Sequence, residues 1–435
     1  MKRFFGNLLV VALLVAGLVA WIMLPWWGVL AAAALLALWL PLTRTGRLAL
    51  AAAGIGIASL PQRWGASSVI VIGIAGVVAV LVAMLAMGEG FEATLNRTGS
   101  ETSAILLRSG SQAETNSVIT REQLPLVSQL PGIARADNGT PLASAELSQV
   151  VNLPTRANGT DANAQLRGVS DTAFALRPQV RIVEGRRFES GKRELVIGVG
   201  AQRQYIGLDV GKQIELANQP WTIVGMFESG DSHESELWAD ADVLGPTYQR
   251  TAFQSVTVKL DGKDGMRQLK AALAADPRLK LDVETTRHYY NKQSEGLTKL
   301  ITILGTVIGS IMAVGAVFGA LNTMYAAVAG RSREIATLRA LGFRGLPVVV
   351  AVMLETMLLA LLGGLLGAAL AWLVFNGYSA STLSGNFSQV MFQFQVAPGL
   401  MWTGLKWALG IGLVGGLFPA MRAARLPVTE ALRAA

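Results

Sequence analysis

The segment Asp231-Ser232-His233-Glu234-Ser235-Glu236 places a histidine among three carboxylates. Such a group could offer ligands to a divalent cation. A convincing site needs a second nitrogen or sulfur ligand at matched spacing, and the chain has no cysteine and only two histidines, His233 and His288. The segment therefore reads as a solvated loop between strands, and no metal site is expected. The nearest text to a phosphate loop, Gly207-Leu208-Asp209-Val210-Gly211-Lys212-Gln213, has the wrong spacing and lacks the hydroxyl residue that would hold magnesium. No G-x-S-x-G elbow or H-E-x-x-H helix occurs either. Two ionisable residues, Glu355 and Lys406, lie inside long apolar runs. Either they pair with each other, or Lys406 snorkels outward. The chain is read as a non-catalytic protein with no catalytic, cofactor-binding or metal-ligating residue of its own.

The elements around these residues are those of a membrane protein. Of 435 residues, 52% are hydrophobic and 15% charged, against about a quarter charged in soluble domains. The net charge of +8 comes largely from arginines beside apolar runs. It is attributed to membrane anchoring and not to nucleic acid. Apolar runs near Gly65–Gly88, Leu300–Ala329, Leu346–Phe375 and Gly399–Met421 are long enough to cross about 30 Å of hydrocarbon. A fifth, Leu8–Leu42, is broken by Pro25-Trp26-Trp27-Gly28 and reads as a signal peptide, one bent span or a two-helix hairpin. Charge parity selects the hairpin. It puts Lys2, Arg3, Arg44, Arg47, Arg63, Arg331, Arg333, Arg339, Arg344, Arg422, Arg425 and Arg433 on one side, leaving the lysine- and arginine-free loop Gly377–Pro398 on the other. The expected fold is thus a polytopic α-helical membrane protein with four core spans plus an N-terminal hairpin, both termini cytoplasmic. It carries a large extracytoplasmic α+β domain.

The expected divisions are a hairpin at 1–43, an interfacial elbow helix at 44–64, a span at 65–88, the α+β domain at 89–298, and three spans in 299–435 with a cytoplasmic segment at 331–344 and a cytoplasmic tail. Within 89–298 the runs AILLRS, ELVIGVG, KQIELA, WTIVGMF and QSVTVKL read as strands. Arg121–Gln129 and Gly265–Ala275 read as helices, and the polar stretch Ala157–Ala164 as a flexible loop.

The segment RSREIATLRALGFRG (Arg331 to Gly345) lies between two spans. As a helix it aligns Ile335, Leu338 and Leu341 in an apolar stripe beside Arg333, Glu334 and Arg339, with Gly342 where a left-handed terminator is needed. Anionic lipid would suffice to explain its charge; a helix that docks in a groove of a cytoplasmic protein explains its length better. This text, followed by MLETMLLALLGGLLGAALAW, the ending FPAMRAARLPVTEALR, and RIVEGRRF, ELVIGVGAQRQYIGLDVGKQIEL and WTIVGMF in the α+β domain, resembles the MacB/FtsX/LolC-like (type VII, mechanotransmission) ABC transporter permeases.

The resemblance implies that Arg333, Glu334, Ile335, Leu338, Arg339, Leu341 and Gly342 form a coupling helix seated in an ABC ATPase. ATP and magnesium would be bound by that separate partner. It further implies a bacterial inner-membrane location with the large domain in the periplasm, and a second permease chain, identical or paralogous. A periplasmic adaptor and membrane lipids are further expected partners. The implied function is the permease of an exporter or extractor of a drug, peptide, toxin or lipoprotein. The alternative is an FtsX-like transmitter that activates an outer partner without moving a substrate. One labelling experiment tests this topology. In the cysteine-free chain, a membrane-impermeant maleimide should label Asn158→Cys in intact cells and should reach Leu341→Cys only after permeabilisation; labelling of both in intact cells would contradict it.

Overall fold

The computed structural model describes residues 17, 20–383 and 388–425. Lys2, Arg3, the stretch from Leu8 to Ala16, and the tail beyond Arg425, with Arg433, lie outside the described residues. The longer helices, in chain order, are α1 (Trp26–Leu42), α2 (Arg44–Ala58), α3 (Trp64–Thr98), α4 (Gly265–Ala275), α5 (Thr286–Gly330), α6 (Ser332–Ala340), α7 (Gly345–Phe375) and α8 (Pro398–Arg425). Two units result: a helical one from Met1–Met87, Ile301–Asn376 and Gln395–Ala435, and an α+β one from Gly88–Leu300 and Gly377–Phe394.

Among the described residues, α3, α5, α7 and α8 are long and apolar enough to cross a membrane. The chain is also helical from Ala20 to Met23 and is interrupted at Leu24 and Pro25 before α1 begins. Proline has no N–H to continue the ladder, so the sequence signal PWWG marks a real break. A bend of 97° separates α1 from α2. It falls at Thr43, an N-cap whose side chain accepts a hydrogen bond from the Gly46 N–H at 2.9 Å.

Lipid-facing helices gain little from apolar burial against one another, so close approach at small residues has to hold them together. Gly363 and Gly367 of α7 lie against the α3 backbone; a Cβ on Gly367 would sit 2.5 Å from the Ala75 carbonyl oxygen. Gly364 faces Ala408, Gly412 faces Ala360, and Gly416 faces Thr356, which sets the antiparallel register of α7 and α8. Gly305 and Gly309 of α5 receive Met84 and Leu81, whereas Gly315 and Gly319 have open space around them.

The α+β unit is built on a ten-stranded sheet in the order β12-β1-β11-β3-β4-β9-β6-β8-β5, with β7 also paired to β8. Its strands are β1 (Ser103–Arg108), β3 (Ala143–Pro154), β4 (Asp161–Val169), β5 (Arg181–Gly185), β6 (Glu194–Gly198), β7 (Gln213–Leu216), β8 (Gln219–Glu228), β9 (Glu236–Asp240), β11 (Ser255–Lys259) and β12 (Leu281–Thr285). A small ladder joins β2 (Ile119–Thr120) to β10 (Ala252–Phe253). Side chains alternate across a strand, and on one face Leu147, Leu166, Leu195, Ile197, Leu237 and Trp221 form a fully buried apolar core.

The expected flexible loop Ala157–Ala164 is largely ordered. Asp161 to Ala164 pair with β3, leaving a tight turn in which Gly159 adopts φ 70° and Thr155 accepts the Gly159 N–H. The polar composition of this stretch reflects an exposed hairpin end, which sequence alone does not separate from a loop. The loop after α7, expected only to join two spans, forms a hairpin of β13 (Ser379–Leu383) and β14 (Gln389–Gln393) that belongs to the α+β unit. There the Met391 N–H donates to Ser235 Oγ at 2.8 Å, and Phe392 meets Phe91 edge-on at 5.7 Å.

Replacing Gly367 with valine should destabilise the helical unit by about 1–3 kcal/mol, the usual cost of overpacking, lowering the melting temperature in detergent. Gly315→Ala, on the open side of α5, should leave it unchanged.

Candidate functional site

Helix α6 is held at both ends by its own sequence. Arg331 is its N-cap residue and donates from Nε to Glu334 Oε2 at 2.8 Å. At the other end Gly342 adopts φ 98°, and the Phe343 N–H reaches back to the Leu338 carbonyl at 3.1 Å. This is a Schellman closure with its accompanying apolar contact. Leu338, Phe343 and Leu354 pack against Ala52, Ala53 and Ala351.

The apolar stripe does not form one free face. Ile335 is 5% exposed and Leu338 packs on α2 and α7, whereas Leu341 is 74% exposed. The surface that α6 presents consists of Arg333, Glu334, Thr337 and Leu341, which recur on one side of the helix. Three-residue spacing identified an amphipathic helix. It could not show that the same chain claims most of the apolar side. Arg339 is half-buried on the flank.

The suggested Glu355–Lys406 pair does not form. Glu355 Oε1 lies 3.3 Å from Arg63 Nη2 and its Oε2 lies 3.1 Å from Arg331 Nη1. Lys406 Nζ instead donates to the Ile22 carbonyl at 2.7 Å and the Leu24 carbonyl at 3.2 Å, while Trp21 Nε1 donates to the Lys406 carbonyl at 2.9 Å. The register explains this. Gly364 opposite Ala408 and Gly412 opposite Ala360 put Glu355 level with Leu417 and Lys406 level with Leu366, about 16 Å apart along the axis. Each charge also has a nearer need to meet. Pro25 breaks a helix and leaves carbonyls without N–H partners, which is costly in lipid, and the Lys406 ammonium supplies the missing donors.

In the α+β unit, Asp231–Glu236 is not a solvated loop. Asp231, Ser232, His233, Ser235 and Glu236 are all buried, in a 3-10 turn whose N-cap Asp231 accepts the His233 N–H. The charge is tolerated because counter-charges and hydroxyls surround it. Ser229 and Gln179 donate to Asp231, and Thr98 and Ser232 bond at 2.9 Å. Glu236 belongs to a larger network centred on Arg167, itself only 2% exposed. Arg167 contacts Glu236 at 2.8 Å, Glu114 at 2.9 Å and Glu146 at 3.0 Å, and Arg177 joins Glu146 at 2.8 Å. Trp238 Nε1 and Ser255 Oγ donate to Glu236 and Glu114.

Burial would raise the Glu146 carboxyl, but Arg177 and Arg167 hold it below the ordinary value; Arg167 does the same for buried Glu236. Tyr289, in the first turn of α5, accepts the Glu114 N–H at 3.1 Å. The sequence signal was faint: lone charged residues in ASAELS and AQLRGV, on the strand face opposite the apolar core. Among the described residues, no three His, Asp or Glu side chains are placed to hold a metal ion.

Removing the cation strands buried carboxylates, and breaking such a network costs about 3–5 kcal/mol. Arg167→Met should lower the unfolding midpoint of the purified chain accordingly, followed through the buried Trp221 and Trp238. Arg121→Met, whose ion pair with Asp242 is exposed, should change it by less than about 1 kcal/mol.

Comparison with known proteins converges on one assignment. Residues 67–276 match the MacB-like periplasmic core domain, and residues 306–428 match the FtsX-like permease C-terminal domain. The macrolide export ATP-binding/permease protein MacB of Pasteurella multocida (strain Pm70) is 28% identical over 395 residues, covering 83% of this chain and 56% of that protein. The chain thus spans little more than half the length of that relative. The uncharacterized ABC transporter permease YknZ of Bacillus subtilis (strain 168) is 23% identical over 392 residues, covering 84% of this chain and 93% of that protein. The crystallised extracellular domain of YknZ, a noncanonic ABC-type transporter from Gram-positive bacteria, aligns with 42% of this chain and 98% of its own length at 17% identity and a TM-score of 0.33. Four helices able to span a membrane, a MacB-like core domain and an FtsX-like C-terminal region give an ABC transporter permease-type role. The chain belongs to the MacB/FtsX-like permease family.

Proposed function

We propose that this chain is the permease subunit of an exporter or extractor driven by a separate ABC ATPase, which docks on α6. The observation that carries the reading is the division of α6 into an anchored side, with Ile335 and Leu338, and an open side, with Arg333, Glu334 and Leu341. A docking helix needs both: a fixed back to receive force and a free face for the partner. ATP closing the partner would displace α6. The motion would then pass along α5 and α7, which flank it in the chain.

Six crossings with both termini cytoplasmic agree with two further contacts. The break at Ile22–Leu24 bonds Lys406, eight residues from the Pro398 end of α8, while α2 packs at Ala351, near the Gly345 end of α7. Since α7 and α8 are antiparallel, the two contacts lie at different levels, which supports a crossing by α1. The substrate class is that of exported or extracted cargo: a drug, peptide, toxin or lipoprotein. Relatives are named for macrolide and pyoverdine export. A second permease chain and a periplasmic adaptor complete the assembly.

The combined change Glu334→Arg and Leu341→Asp tests the docking face. In proteoliposomes with the ATPase subunits, it should lower permease-stimulated ATP turnover at least tenfold, about 1.4 kcal/mol, with helix content by circular dichroism unchanged. Full stimulation by the variant would refute the assignment of this face.

A further inference from the structure

Glu355 is an acidic residue in a helix that is otherwise apolar for most of its length, and it is 4% exposed. A carboxylate there needs opposite charge close by. Neither counter-ion comes from α7. Arg63 lies in the short turn joining α2 to α3, and Arg331 is the single residue between α5 and α6. Arg331 also grips Glu334 in the first turn of α6, and Arg63 Nη2 also donates to Ser59 Oγ at 2.7 Å. Alternating charges thus run Arg63–Glu355–Arg331–Glu334 and link the ends of α2, α5 and α6 to the flank of α7.

The α2 backbone is pressed onto this chain of charges. A Cβ on Gly56 would lie 2.8 Å from Glu355 Oε2 and 3.1 Å from Arg331 Nη1. One turn away the same three helices meet again, through Ala52 and Ala53 of α2, Ala351 of α7 and Leu338 of α6. A cavity of about 170 Å³, lined by Arg63, Ser67, Thr323, Met324, Glu355 and Leu359, opens beside the charges.

We propose that Glu355 is the positioning residue that locks α6 to α2 and α7, so that a push on α6 moves all three together instead of being absorbed at the joint of Arg331. This deepens the coupling reading above and rests on it for the source of the push. Simple satisfaction of two anchoring arginines would require neither a shared carboxylate nor a glycine under it. The geometry supplies both, and it places the carboxylate at the Arg331 joint between α5 and α6.

The absence of cysteine permits a direct test. Spin labels at Leu50→Cys on α2 and Leu341→Cys on α6, both exposed positions, report their separation by pulsed electron resonance in the full chain in lipid nanodiscs. The parent should give one narrow distance distribution. Glu355→Gln should broaden it by about a helical turn, ~5 Å, Glu355→Asp should largely retain it, and Gly56→Ala should broaden it while keeping every charge. With the ATPase subunits added, Glu355→Gln should bind them at the parental stoichiometry yet lose about tenfold of the stimulated turnover. Narrow distributions in both Glu355→Gln and Gly56→Ala overturn the proposal; should Glu355→Gln fail to fold, Gly56→Ala decides alone. Failure of the parent to bind an ATPase would overturn the coupling reading, while the distances would still decide whether Glu355 holds α6 to α2.

Discussion

A charge taken out of water must find its counter-charge inside the same protein, and much of this structure follows from that requirement. In the α+β unit the Arg167 guanidinium is shared by Glu114, Glu146 and Glu236, drawn from a 3-10 turn and two strands. In the helical unit Glu355 is shared by Arg63 and Arg331. Both are hubs in which one ion serves partners from separate segments. Each hub therefore fixes several elements at once, and each would leave unpaired charge behind if one member were lost.

The uncharged contacts obey a related rule. Without water between helices there is little apolar driving force, so fit decides. Gly367 against the Ala75 carbonyl, and Gly364 and Gly412 across the α7–α8 seam, bring backbones close enough for dispersion to matter. The open backbone at the Leu24–Pro25 break is a liability of the same kind in lipid, and Lys406 answers it with an ammonium in place of packing. The N-terminal apolar region is thereby fastened to α8 by hydrogen bonds in both directions, because Trp21 also donates to the Lys406 carbonyl.

Helix α6 is instructive because one short element serves two surroundings. Its closure at Gly342 and its salt link at Arg331 are local, made from residues within one or two turns. Its back is held by distant residues of α2 and α7. Only the remaining face, with Arg333, Glu334 and Leu341, stays open. A helix anchored in this way transmits displacement to its neighbours; a loosely tethered one would dissipate it. The docking role proposed for α6 requires the anchored case.

Local chemistry was legible in the sequence. Apolar runs long enough to span a bilayer, the proline break near Trp26, the helix of α6 with its glycine terminator, and the strands in ELVIGVG, WTIVGMF and QSVTVKL all follow from periodicity and from residue types with few conformational choices. The distribution of arginines and the ordered blocks of family text were also readable, since both are properties of the chain order itself. Tertiary structure alone decided which partner each charge would take. Spacing could not show that Glu355 meets Arg63 and Arg331 instead of Lys406, that Asp231 and Glu236 are buried, or that Leu338 is spent on α2 and α7. The physical reason is that pairing energy falls off over a few ångströms, and separations on that scale are set by helix register and strand order, which no local stretch of sequence contains.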